Sequence, residues 1–187
     1  LEKLPSLADG DAVINTVTVS EGDEIVDNGG SPALLEVGME IRPVGCNAAD
    51  CAIIYEGGEI ELDQMVVTFS MLPGLLWSDG TPLTTADSLY SFDVASDPDT
   101  PSGKFAIERT VSYEALDDTT IVWTGMPGFL DSTYFLNFWT PLPEHQLGSF
   151  TALELLEATE AARTPMGWGP YIIDEWVAGE TITLHRN

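Results

Sequence analysis

Alternation of apolar and polar residues with a period of two dominates the first part of the chain and predicts strands. In Met65-Val66-Val67-Thr68-Phe69-Ser70-Met71 the side chains of Met65, Val67, Phe69 and Met71 fall on one face, which marks a strand with that face in the core. Residues 13–19 are rich in β-branched side chains, with Val13, Val17 and Val19 on a common face, and predict a second strand. Asn28-Gly29-Gly30-Ser31-Pro32 and Gly57-Gly58 read as loops. Met39-Glu40-Ile41-Arg42 and Ala52-Ile53-Ile54-Tyr55 are strand-like and flank Cys46 and Cys51, so the pattern predicts a hairpin with the cysteines at its tip.

The period then changes. Ser78-Asp79-Gly80 is a turn signal and Pro82 fixes the next backbone angle. Thr84 is placed to cap a helix, and Asp87, three residues on, puts a carboxylate at the positive end of the helix dipole. This predicts a helix over residues 85–95. Residues 97–103 are punctuation, and residues 106–116 and 119–124 read as a strand pair around a turn at Asp117-Asp118. The aromatic-rich residues 131–139 predict a short helix capped by Asp131 or Ser132. Residues 151–158 predict another, with Ala152, Leu155 and Leu156 on one face. A last hairpin is expected from residues 171–177, a turn at Ala178-Gly179, and residues 181–185. Irregular alternation of the two periods implies a mixed α/β fold, with α+β sheets carrying a few helices.

With 187 residues and 44% hydrophobic content the chain can bury a sizeable core in one or two domains. Its 31 acidic against 6 basic residues give a formal net charge of -25, which repels nucleic acid and the anionic face of a membrane. The acids are scattered, as on a solvated surface. Cys46 and Cys51 are separated by four residues, which suits a short disulfide-closed turn, with two buried thiols as the alternative; zinc would need further ligands nearby. A bridge would point outside the cytoplasm. No signal peptide or transmembrane run is present, and the chain begins at Leu1 without Met, as expected of a mature or excised segment.

Catalytic motifs are missing: there is no nucleophile elbow, Walker loop, dinucleotide fingerprint, zinc-protease helix or EF-hand. Gly167-Trp168-Gly169 precedes a predicted strand instead of a helix, so it reads as a tight backbone approach before Pro170 and not as a phosphate loop. His145 and His185 have no second histidine at ligand spacing. Asp93, Asp97 and Asp99 lack the central glycine and terminal glutamate of a calcium loop. Glu154 and Glu157, one helical turn apart, are the carboxylate pair a hydrolase would offer, but solvated helix faces carry such pairs routinely. No enzyme activity, metal or cofactor is expected.

Four segments in order carry a family resemblance. Trp77-Ser78-Asp79-Gly80-Thr81-Pro82 leading to Tyr90-Ser91-Phe92, then Tyr113 to Val122 around Asp117-Asp118, then Leu142-Pro143-Glu144-His145, then Gly167-Trp168-Gly169-Pro170-Tyr171 with Leu184-His185-Arg186-Asn187, together resemble the family 5 extracellular solute-binding proteins, the peptide- and nickel-binding receptors of ABC importers. The resemblance covers residues 69–187 well and the first 68 loosely. Leu72, Leu76, Thr85, Glu144 and Trp168 depart from the family pattern, mostly by loss of positive charge.

The resemblance implies part of a class II periplasmic-binding-protein-like fold. Residues 1–142 would form a small β-rich domain with the helix near residues 85–95, and residues 143–187 would open the first lobe, so that the chain reads as an N-terminal fragment with the second lobe absent. It implies an extracellular or periplasmic protein, membrane-anchored at full length, that captures a peptide or similar small solute as a monomer and delivers it to an ABC permease. By position, Tyr90, Phe105, Trp139 and Trp168 correspond to places where family members put groups near the ligand cleft. The competing reading is an acidic extracellular protein-interaction module without a small-molecule ligand.

Overall fold

The computed structural model describes residues 1–187. In chain order the strands are β1 (Ala12–Val19), β2 (Glu24–Val26), β3 (Pro32–Leu34), β4 (Glu40–Ile41), β5 (Ile53–Ile54), β6 (Ile60–Ser70), β7 (Thr110–Ala115), β8 (Thr120–Gly125), β9 (Tyr171–Val177) and β10 (Thr181–Arg186). The helices are α1 (Thr85–Ser96), α2 (Glu144–Leu147), α3 (Ala152–Leu155) and α4 (Thr159–Ala162). Two compact units interleave along the chain: Leu1–Ser70, Gly103–Leu116 and Thr120–Phe138 form the first, and Met71–Ser102, Asp117–Thr119 and Trp139–Asn187 the second. The architecture is mixed α/β, as the two periods predict.

The first unit is built on an antiparallel sheet in the order β1-β6-β8-β7. Strand β6 can run for 11 residues because it is paired on both sides and its alternation supplies an apolar face of buried Met65, Val67 and Phe69, while Leu62 is buried on the opposite face. Ile121 and Trp123 repeat the pattern on β8, and the Trp123 indole N–H donates to Thr110 Oγ1 at 2.7 Å. Two small hairpins, β2–β3 and β4–β5, bring Ile25, Leu35, Ile41 and Tyr55 against Val19 and Leu62 in one apolar cluster. The β4–β5 hairpin has the expected stapled tip, closed by a Cys46–Cys51 disulfide with Cα atoms 5.6 Å apart. Gly128 is needed for a close approach: at φ 84° its N–H reaches Asp63 O, and a Cβ there would lie 2.6 Å from Val26 O.

The shared face expected of Val13, Val17 and Val19 is not uniformly buried, since Val19 is covered while Val13 is 41% exposed. Strand β1 is an edge strand, and its first residues extend past the cluster that covers Val19.

In the second unit α1 forms as its caps predict. Thr84 Oγ1 accepts from Ala86 N at 3.3 Å, and Thr84 N donates back to Asp87 Oδ2 at 2.9 Å. Two other helical expectations are reduced. Residues 131–139, all of which but Trp139 belong to the first unit, contain one 3-10 turn, Tyr134–Leu136, because the Asp131 carboxylate takes the N–H and hydroxyl of Thr133 and the Asn137 amide, an alternative to a helix start. Residues 151–158 hold only α3, capped reciprocally by Thr151 and Glu154, and then Ala158 turns extended ahead of α4. Ala152 is buried, yet Leu156 is 52% exposed, so the predicted apolar face does not close on a partner that could lengthen so short a helix. The terminal hairpin pairs β9 with β10 as expected, with a register shift that leaves Asp174 unpaired beside Glu175. Its carboxylate meets His185 Nδ1 at 2.6 Å.

Candidate functional site

The densest polar construction in the second unit starts from the turn before α1. Trp77 N donates to Thr81 O and Gly80 N to Trp77 O, both at 2.8–2.9 Å, with Gly80 at φ 88°. Leu83 N bonds Leu75 O, and Leu76 bridges Pro82, so the turn is a closed loop and not a free connection. This fixes the Trp77 backbone and lets its ring point inward, where it is 2% exposed.

Asp87 is what that ring meets. Its carboxylate is 5% exposed and accepts from three segments: the Trp77 indole N–H and the Thr84 N–H on Oδ2 at 3.1 and 2.9 Å, and the Glu144 N–H on Oδ1 at 3.2 Å. Leu142 N also bonds Asp87 O. One buried charge thus joins the turn, the start of α1 and the start of α2, with several donors offsetting its desolvation. From sequence, Asp87 reads only as a capping residue; nothing in the linear pattern signals its link to Trp77 or to Glu144, 57 positions on.

Around this hub sit three of the four sequence-predicted aromatic residues. Trp168 packs edge-on against Trp77, ring centroids 5.1 Å apart at 79°, and keeps 40% of its surface exposed. Its segment is held by the Ser78 N–H, which donates to Gly167 O at 2.9 Å. Tyr90 on α1 donates its hydroxyl to Leu147 O at 2.9 Å. Trp139 accepts the Ser88 hydroxyl on its carbonyl and packs edge-on against Phe92 at 4.7 Å. Phe105 belongs to the first unit, where it is 60% exposed. The buried Arg109 guanidinium lies 3.7 Å above that ring while donating to Gly30 O and Phe105 O, a cation–π contact that covers one ring face.

The tight backbone approach expected at Gly167 and Gly169 is not required: a Cβ on Gly167 would meet nothing nearer than 3.9 Å, and one on Gly169 nothing at all. What ties this stretch is the carbonyl of Gly167.

The electrostatics are local. His145 Nε2 lies 3.0 Å from Asp79 Oδ2, linking α2 to the turn. The Thr81 backbone N–H holds the Asp79 carboxyl below its usual range, with the Thr81 and His145 side chains adding to the effect. Burial, and then the Glu144 carboxylate, push the Tyr90 phenol up. A cavity of about 170 Å³ is lined by Val94, Leu142, Leu147, Leu155 and Met166, with Glu160 as its charged lining residue. Its size admits one small side chain, well short of the roughly 300 Å³ at which small-molecule pockets begin. No group of three or more His, Cys, Asp or Glu side chains is arranged to hold a metal ion, and no helix is long and apolar enough to cross a membrane.

Comparison with known proteins bears on the same residues. The model of the bacterial extracellular solute-binding proteins, family 5 Middle, matches residues 52–187. A Brucella ovis protein named as an ABC transporter peptide-binding protein is 33% identical over 133 residues, covering 69% of this chain and 24% of the relative. Among solved structures, the oligopeptide-binding protein AppA from Bacillus subtilis, in complex with a nonapeptide, superposes with a TM-score of 0.55 at 20% identity, over 90% of this chain and 30% of that one. A periplasmic oligopeptide-binding protein from Thermotoga maritima does so with a TM-score of 0.54 at 25% identity, over 66% and 22%. The chain therefore spans about a quarter of the length of the curated relatives it matches.

Proposed function

The chain belongs to the bacterial extracellular solute-binding proteins of family 5, and from that membership we propose that it serves a receptor that captures peptides or related small solutes for an ABC importer. The observation that carries the reading is the half-exposed Trp168 indole, held against a buried Trp77–Asp87 pair within the residues that match the family. A receptor that accepts varied peptides needs rigid apolar walls that tolerate different side chains, together with polar groups that fix the peptide backbone. Rings suit that wall because they bury much area with few torsions to immobilise.

Tyr90, Trp139 and Trp168 in the second unit, and Phe105 in the first, are each proposed as a ring that a solute could meet, and they differ in what they can offer. Of Tyr90, Trp139 and Trp168, Trp168 presents the most open ring, and Phe105 presents the face that Arg109 does not cover. Tyr90 has its hydroxyl engaged and Trp139 its carbonyl, so these two would contribute ring surface only. Capture involves no covalent step: the solute is enclosed as two walls close on it, and the closed form is what the permease recognises. The receptor would act as a monomer outside the cytoplasm, held at the membrane by an anchor.

The test is to purify the natural protein without denaturation, release bound small molecules with acid and identify them by mass spectrometry. Peptides of several residues, present in proportion to protein, are expected. A uniform non-peptide solute would overturn the peptide reading.

A further inference from the structure

Why should the exposed Trp168 ring hold one orientation when its own segment has no helix or strand around it? Its neighbours supply the answer. Trp168 lies between β9 and the short helix α4 and is touched edge-on by Trp77. Trp77 is itself fixed by the indole N–H donated to Asp87 Oδ2. Asp87 cannot move independently, because its carboxylate also accepts from Thr84 N and Glu144 N. Asp87 is 5% exposed and so is out of reach of any solute.

We propose that Asp87 is a positioning residue for the solute-binding wall, setting the orientation of the Trp168 ring through Trp77. This rests on the reading of Trp168 as a wall residue, but the relay is a geometric property of the chain with its own readout. A free Trp168 side chain would have to be immobilised by each arriving solute, at a cost in rotamer freedom. A ring already braced by Trp77 is preorganised, so solute affinity depends on a carboxylate that never touches the solute. In the neutral Asp87→Asn side chain one oxygen becomes an N–H₂ donor, so either the Glu144 N–H or the Trp77 and Thr84 N–H groups, which share Oδ2, face a second donor, and the Trp77 indole keeps a weaker neutral acceptor or none.

Two indoles 5.1 Å apart at 79° couple their transitions, and the far-ultraviolet difference spectrum between the natural protein and its Trp168→Ala variant isolates that couplet. In Asp87→Asn the couplet should fall by at least half while the remaining circular dichroism stays that of the folded protein. Asp87→Glu should restore part of it. Should Asp87→Asn fail to fold, Glu144→Pro removes one of the three donors to the same carboxylate and should reduce the couplet to a lesser degree.

Affinity for a tryptic digest of casein, followed by calorimetry on the natural protein, gives the second arm. Asp87→Asn and Trp168→Ala should each weaken binding, by about three- to tenfold, and the double variant should be no weaker than Trp168→Ala alone. An unchanged couplet in a folded Asp87→Asn protein overturns the relay, and so does full additivity of the two substitutions. A natural protein that binds no peptide overturns the functional reading and leaves the couplet experiment to decide the relay alone.

Discussion

Replacing Asp87 with alanine is the perturbation to which the second unit should be most sensitive. The substitution removes one buried carboxylate and leaves three donors without their acceptor: the Trp77 indole N–H, which is buried, and the Thr84 and Glu144 N–H groups, which are partly buried. A buried donor left unsatisfied costs about 1–3 kcal/mol. Loss of half of the reciprocal cap at Thr84 costs about 1 kcal/mol, and a partly wetted N–H at Glu144 about the same. Relief of the desolvation of the charge offsets part of this, so the net loss should be about 2–4 kcal/mol, a large share of the roughly 5–15 kcal/mol that stabilises an ordinary domain. With a urea slope of about 2–3 kcal/mol per molar, the midpoint should fall by roughly 1–2 M. Tryptophan fluorescence is the suitable probe, since Trp77, Trp139, Trp168 and Trp176 lie in the second unit and only Trp123 in the first. A midpoint lowered by less than about 0.3 M would show that water or rearranged neighbours satisfy those donors and that Asp87 is no hub.

In the first unit, Leu62→Ala opens a cavity in the cluster of Val19, Ile25, Leu35, Ile41 and Tyr55 and should cost about 2–5 kcal/mol by urea titration with backbone circular dichroism, against well under 1 kcal/mol for the exposed Leu116→Ala. The Cys46–Cys51 bridge closes so short a loop that replacing both cysteines with serine should cost only about 2 kcal/mol, and unreduced denatured protein should resist alkylation at both positions. Asp79 has its carboxyl held below the usual value of about 3.9 by Thr81 and His145, so it contributes stability above that value and loses it as pH falls through the lowered one. Asp79→Asn should therefore unfold more readily than the natural protein at pH 5–7 and match it near pH 2, as read from thermal midpoints across that range.

What was legible in the sequence was local. The turn at Ser78-Asp79-Gly80, the cap at Thr84 and the strand face of Met65, Val67 and Phe69 are encoded within a few residues of where they act, and each forms as read. The β4–β5 hairpin and its disulfide follow from two strand-like runs flanking two cysteines. Competition between side chains and the backbone, and pairing across the chain, were not legible. The Asp131 side chain captures Thr133 and Asn137 and halts a helix that composition favours, and the helix of residues 151–158 breaks because Leu153 and Leu156 find no cover. The interleaving of the two units depends on β6 pairing β8 across 50–58 residues, which no window along the chain reports. Asp87 is the sharpest case. Its capping role is visible three residues from Thr84, whereas its bonds to Trp77 and Glu144 exist only once the turn and α2 are in place.

The proposed part in a peptide receptor gives Trp168 a place in the solute-binding wall. Placing a photo-crosslinking phenylalanine analogue at position 168 of the natural protein, irradiating it in a tryptic digest of casein and sequencing the adducts tests it most directly. Peptides of varied sequence joined at that position are expected, with labelling suppressed by excess unlabelled digest. Labelling by water alone, or an adduct indifferent to competing peptide, would contradict it.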